Sequence, residues 1–200
     1  MSDQDVYGNQ CERVVFPHEK VIDESLYCRE LARYRWAMRH VQPGQFVLEL
    51  GCTCGYGTRF LPVGCYSYVG VDYDEPIIQY ARREYEHTRP GICQFVCATI
   101  DHYLDALIDR SFDVIIAMEV IEHVPNGREV AQRLKQYAPT VLLTTPYKEP
   151  VGFWGPHHVL HELSEVDFPD FTYRYMYADG TIHDQPSLTP ASLMLLEWHR

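Results

Sequence analysis

Residues 46–58 read FVLELGCTCGYGT, and this stretch decides the fold. Phe46-Val47-Leu48-Glu49-Leu50 is too short for a helix, is rich in strand-favouring residues, and is closed by Gly51. A strand that runs straight into a glycine-rich turn marks the ligand-binding edge of a parallel sheet, because glycine tolerates positive φ and lets backbone approach a ligand. Downstream the rhythm repeats. Residues 66–71 form a second β-rich run ending at Asp72, and further strands are expected over 92–96, 112–117 and 140–144. Helical spacing over 76–85 opens behind Asp74 as N-cap, and helical stretches fill about 101–109 and 127–137. Strands alternating with helices mean βαβ units, so the fold class is α/β: a mainly parallel sheet of the seven-stranded, Rossmann-like sandwich type, covered on both faces.

Upstream, Leu26, Leu31, Tyr34, Ala37 and Met38 recur at helical spacing between 23 and 40, and Gln42-Pro43-Gly44 ends that helix. After Pro146 the alternation stops. Phe171 to Ala178, Asp179-Gly180 and Thr181 to Asp184 predict an antiparallel hairpin. Thr189-Pro190 reads as a helix start, while the Leu193/Leu195/Leu196 run behind it equally suits a final strand; both remain open. With no repeat or linker, 1–200 is expected to be one domain, with an arm over 1–22 and a loop over 146–170 on the acceptor side.

The 17 basic and 28 acidic residues give a net charge of −11, which disfavours a phosphate-tracking surface and hence nucleic acid as a partner. A small molecule or a neutral glycan is the more natural acceptor. No apolar run approaches the ~18 residues of a membrane span. The seven cysteines (11, 28, 52, 54, 65, 93, 97) sit largely in apolar segments and read as the reduced thiols of a cytoplasmic protein.

Asp72 lies 21 positions beyond Gly51, at the end of the second strand, where a carboxylate can accept hydrogen bonds from both ribose hydroxyls. Glu49, two residues before Gly51, would repel a pyrophosphate and argues against a dinucleotide. It suits a nucleoside cofactor with a cationic amino-acid portion, such as S-adenosylmethionine (SAM). The bland alternative is a tight strand-to-helix turn followed by a solvated Asp.

VLELGCTCGYGTRFL resembles the glycine-rich signature of class I SAM-dependent methyltransferases, VGVDYDEPII their second acidic motif, and FDVIIAMEVIEHV their fourth-strand motif. By that resemblance Glu49, Gly51, Cys52 and Gly55 line the methionine part and Asp72 holds the ribose. Arg33-Tyr34 resembles an Arg-Tyr pair that reaches the cofactor carboxylate. Tyr73 and Glu119 complete the expected cofactor set. Thr53 departs from the usual glycine, and no acidic residue stands in Cys97-Ala98-Thr99, where Asp101 is the available substitute.

Glu119, Glu122 and His123 fall at i, i+3 and i+4, and would share one face if a helix began at Glu119. His157, His158 and His161 cluster in the loop after the fifth strand, over the same sheet edge. Three readings stay open. His123 or His158, with Glu122, handles the proton of an acceptor hydroxyl. Alternatively Glu119, Glu122, His123 and His158 bind Mg²⁺ or Mn²⁺ that orients a diol or ribose; the Glu-x-x-Glu-His arrangement resembles that of small-RNA 3′-end 2′-O-methyltransferases. In the third, these side chains only cap and brace the loop. Trp154, His157 and His161 are the expected acceptor contacts. TTPYKEPVGFWGPHHVLHEL is similar to the Thr-Pro plus His-rich loop of methyltransferases acting on surface sugars, so the expected reaction is O-methylation of a glycan, nucleotide-sugar or small metabolite. A SAM-binding regulator or scaffold without turnover is the alternative from a different class.

Overall fold

The computed structural model describes residues 24–88, 92–107, 112–153, 155–187 and 192–200, with side chains from Arg29 onward. The expected arm over 1–22 and Trp154 lie outside the described residues. A first helix, α1 (Glu24–Met38), precedes β1 (Phe46–Leu50), which matches the expected strand residue for residue. Then come β2 (Ser67–Asp72), α2 (Glu75–Tyr85), β3 (Cys93–Cys97), α3 (Ile100–Ala106), β4 (Val114–Met118), α4 (Gly127–Leu134) and β5 (Thr140–Pro146). Asp74 caps α2 as expected, its side chain accepting from the Ile77 N–H.

The strand order is β3-β2-β1-β4-β5-β8-β6-β7. The first five strands pair in parallel. The C-terminal part is antiparallel, as the hairpin signal implied. β6 (Thr172–Met176) and β7 (Ile182–His183) flank the Asp179-Gly180 turn. The chain end resolves the helix-or-strand alternative in favour of β8 (Leu193–His199), inserted between β5 and β6.

Burial explains why the central strands read as unbroken apolar runs. On β4, Val114, Ile116 and Met118 join the core under α1 and α2, whereas Ile115 and Ala117 join the core under α3 and α4. Leu48 and Leu50 face the α3/α4 side, so Glu49 faces the α1 side. Order reverses between β1 and β4, and ligands of such sheets bind at the carboxyl ends of the strands beside that switch point. The segments leaving it are the turn after Leu50 and the loop after Met118.

Candidate functional site

At the switch point Gly51 has φ of 68°, in the left-handed region that favours glycine. Its N–H and that of Cys52 both donate to the Val71 carbonyl, folding the turn back onto β2. A Cβ on Gly51 would come within 2.4 Å of Val120 Cγ2, so the turn after β1 and the loop after β4 are packed together. Gly55 is left-handed as well. Thr53 has φ of 46°, which explains why glycine suits that position; a side chain there costs about 1–2 kcal/mol. Its N–H donates to Asp72 Oδ2 at 3.1 Å.

Asp72 is buried, and its Oδ1 accepts from the Asp74 N–H at 3.0 Å. Two backbone donors thus fix the carboxylate at the end of β2. Cys52 is fully buried; its thiol packs in the core and donates to the Thr53 carbonyl, and its N–H joins the turn. Tyr73 is 68% exposed. Asp101 is turned toward Asn126 and Arg133, away from the position of the missing acid.

Glu49 is 1% exposed and accepts from the hydroxyls of Tyr34 and Tyr68. Burial pushes its pKa up to about 7, against the hydrogen bonds of the two phenols and the charge of Arg33. The carboxylate makes no described ion pair with a cation. Gly57 leaves room for this arrangement, since a Cβ there would lie 2.5 Å from Glu49 Oε2. Arg33 pairs with buried Glu30, which also accepts from Tyr56, while Arg33 Nε is buried without a hydrogen-bond partner. Burial alone would lower the Arg33 pKa, but Glu30, Tyr56 and Glu119 outweigh it and the guanidinium stays charged. A buried carboxylate lacking an ion-paired cation, near a buried guanidinium with a donor to spare, fits the ammonium and carboxylate of a free amino-acid end. Tyr34 holds Glu49, while Arg33 keeps its buried Nε–H unpaired.

Beyond β4 no α-helix begins at Glu119. Its φ of 56° is left-handed, and only a 3-10 turn follows over Ile121–His123. The Glu119 N–H and carboxylate are both taken up by Thr144 on β5, which bends the chain sharply. Glu119 is absent from the described group of potential ligands formed by Glu122, His123 and His158, although its charge still acts on Glu122. Burial raises the Glu119 pKa, opposed by Arg33 and Arg29.

Glu122 is fully buried; Oε2 accepts from Thr145 Oγ1 at 3.2 Å and Oε1 has no partner. Burial, then the charge of Glu119, raises its pKa well above the usual carboxylate range. Its carbonyl accepts from the N–H groups of Val159 and Leu160, tying down the loop after β5. That tie brings His158 edge-on to His123, ring centroids 4.6 Å apart. The His123 Nδ1–H donates to the His157 carbonyl at 3.0 Å. The His158 Nδ1–H donates to Glu149 Oε2 at 2.5 Å, and both of these side chains are buried. Glu149 was missed by sequence reading; a Glu three residues past Thr-Pro in a turn-rich loop carries no spacing signal. His157 is exposed, and His161 has a buried Nδ1 without a partner.

Residues 48–138 match the family model described as a methyltransferase domain. The chain is similar to the O-antigen chain terminator bifunctional methyltransferase/kinase WbdD of Escherichia coli, 26% identical over 115 residues, which are 54% of this chain and 16% of that protein. It is similar to the ubiquinone biosynthesis O-methyltransferase of Glaesserella parasuis serovar 5, 30% identical over 95 residues, with 46% of this chain and 40% of that protein covered. The chain thus spans less than half the length of these curated relatives. Among solved structures, the N-methyltransferase NodS from Bradyrhizobium japonicum WM9 aligns with a TM-score of 0.64 at 16% identity, over 90% of this chain and 98% of that one. The glycine-rich turn, Asp72 at the end of β2, the inserted antiparallel β8 and the family match converge: residues 48–138 are a methyltransferase domain of the class I SAM-dependent type.

Proposed function

We propose that the chain methylates a hydroxyl of a glycan, a nucleotide-sugar or a small metabolite. The observation that carries this reading is the buried Glu149–His158 pair beside His123, at the sheet edge that holds Glu49, Arg33 and Asp72. SAM, when bound, supplies an electrophilic methyl group on a sulfonium centre. Glu49 would hold its ammonium, Arg33 its carboxylate and Asp72 its ribose. A hydroxyl is a poor nucleophile until its proton is removed. With Nδ1–H donated to Glu149, His158 keeps Nε2 as proton acceptor, and Glu149 stabilises the imidazolium that results. Burial raises the Glu122 pKa, which suits it to donate toward the acceptor rather than to take that proton. Trp154, His157 and His161, on the 146–170 loop, would contact the acceptor. The name of WbdD refers to an O-antigen chain, and that likeness, with the His-rich loop and the acidic charge, favours a sugar acceptor.

The test is formation of S-adenosylhomocysteine from SAM with pooled glycans, nucleotide-sugars and quinone-like phenols. His158→Ala and Glu149→Gln should lower kcat about a hundredfold, as expected for loss of a general base, with the Kd for SAM changed less than about threefold. Parallel losses in SAM binding and turnover would overturn the assigned roles. SAM binding without product from any pool would favour the non-catalytic regulator.

One observation favours a second reading. Glu122, His123 and His158 each offer a ligand atom within 4.8 Å of the others, and Glu122 Oε1 is buried without a partner. Nδ1 of each histidine is held by a hydrogen bond, an arrangement that orients metal-binding imidazoles. Mg²⁺ or Mn²⁺ there would bind a diol or an RNA 3′-end ribose, with Mn²⁺ the better match for two nitrogens and an oxygen. Activity lost with EDTA and restored by Mn²⁺ or Mg²⁺ is the expected result of this version; EDTA-indifferent turnover would end it.

A further inference from the structure

A second group of ligand-bearing side chains lies away from the cofactor edge. β8 runs antiparallel to β5, with Leu193 opposite Pro146 at the carboxyl end and His199 opposite Thr140 at the amino end. At about 3.3 Å per residue, the last residues of β8 are about 20 Å from the cofactor edge. Leu193 and Leu195 pack into the core under α1, so Glu197 and His199 extend the same face. There they meet His40, two residues beyond the end of α1. His40, Glu197 and His199 each offer a ligand atom within 4.8 Å of the others.

The spacing is that of ligands rather than of hydrogen-bonded partners. His40 Nε2 lies 3.7 Å from Glu197 Oε1, and His199 Nε2 lies 3.7 Å from Glu197 Oε2. Both separations are too long for hydrogen bonds. They are close to the roughly 3.3 Å between neighbouring ligands that each stand 2.0–2.1 Å from a tetrahedral Zn²⁺. The surroundings orient the set. Trp36 Nε1–H donates to Glu197 Oε1 at 2.9 Å, and His199 Nδ1 meets Thr140 Oγ1 at 3.3 Å, leaving Nε2 for an ion. The stacked imidazoles of His40 and His199 have centroids 5.7 Å apart.

The geometry points to a transition-metal site of the Zn²⁺ class at the amino edge of the sheet, held by His40, Glu197 and His199 and independent of the methyl-transfer site. Two imidazole nitrogens and one carboxylate suit Zn²⁺, Co²⁺ or Ni²⁺ over Mg²⁺ or Ca²⁺. Three protein ligands leave one position for water. Such an ion would join the end of α1 to the last strand, clamping the helix that carries Arg33 and Tyr34.

The experiment is calorimetric titration of the full chain with Zn²⁺ alone, in wild type, His199→Ala, His40→Ala and His123→Ala. His199 is exposed, so His199→Ala should fold like wild type, as checked by thermal melting without metal. The expected result is that His199→Ala and His40→Ala each lower the affinity of one Zn²⁺ equivalent at least tenfold, while His123→Ala leaves that equivalent unchanged. Zn²⁺ binding that disappears only in His123→Ala, or an affinity untouched by His199→Ala, would overturn the proposal. Absence of Zn²⁺ binding to wild type would overturn it equally.

Discussion

Glu49, the proposed holder of the cofactor ammonium, is also where burial shifts the acid–base balance of the fold. Burial between Tyr34 and Tyr68 pushes its pKa to about 7 from an ordinary 4.5. Between those values the folded chain holds a proton that the unfolded chain has released. This group therefore favours the folded state at low pH, and that contribution is lost as pH rises from about 4.5 through 7. An ammonium bound beside Glu49 favours its ionised form. SAM affinity should accordingly rise with pH through about 7, and binding near pH 6 should release a proton. Titration calorimetry in buffers of different ionisation enthalpy measures both effects. Glu49→Gln should remove the proton release and flatten the pH dependence; an unchanged profile would mean that another group titrates. The place of Glu49, two residues before the first glycine, was legible in the sequence. Its two phenolic partners were not, because Tyr34 and Tyr68 come from separate elements 34 residues apart in the chain.

At the scale of elements, the turn after β1 and the loop after β4 behave as one unit. The i, i+3, i+4 spacing of Glu119, Glu122 and His123 would put them on one face if a helix began at Glu119. Thr144 on the neighbouring strand instead captures the Glu119 N–H and carboxylate, and the left-handed bend that results breaks the helix before it starts. A local pattern lost to a cross-strand hydrogen-bond pair is a tertiary override, which periodicity alone cannot foresee. The same junction makes Gly51 sensitive. Gly51→Ala combines a left-handed backbone, costing about 1–2 kcal/mol, with displacement of Val120, costing about 1–3 kcal/mol. Urea unfolding should show a loss of about 2–5 kcal/mol by this sum, together with weaker SAM binding. A loss under about 1 kcal/mol would show that the two loops are not packed as described.

Across the whole molecule, β8 is the element that joins the parallel half to the hairpin. It pairs with β5 from Thr140↔His199 to Pro146↔Leu193 and with β6 on its other edge. Leu196 is fully buried in the core beneath α3 and α4. Leu196→Ala should therefore cost about 2–5 kcal/mol, read as a lower midpoint in chemical denaturation. A cost under about 1 kcal/mol would mean that the last strand is only loosely attached. Among the described residues no helix is long and apolar enough to cross a membrane.

The sequence by itself determined the five parallel strands, the three helices between them, the N-cap at Asp74 and the ends of β1 and β2 where the glycine-rich turn and Asp72 stand. It could do so because these features are written in local periodicity, turn chemistry and fixed spacing within single βα units. Only the tertiary structure decided that the last segment is a strand rather than a helix, since an apolar run satisfies either backbone and the open edges of β5 and β6 choose between them. The same holds for the Glu149–His158 pair and for His40 against Glu197 and His199. Side chains that meet across loops and strands distant in the chain are joined by packing, and packing leaves no mark in local spacing.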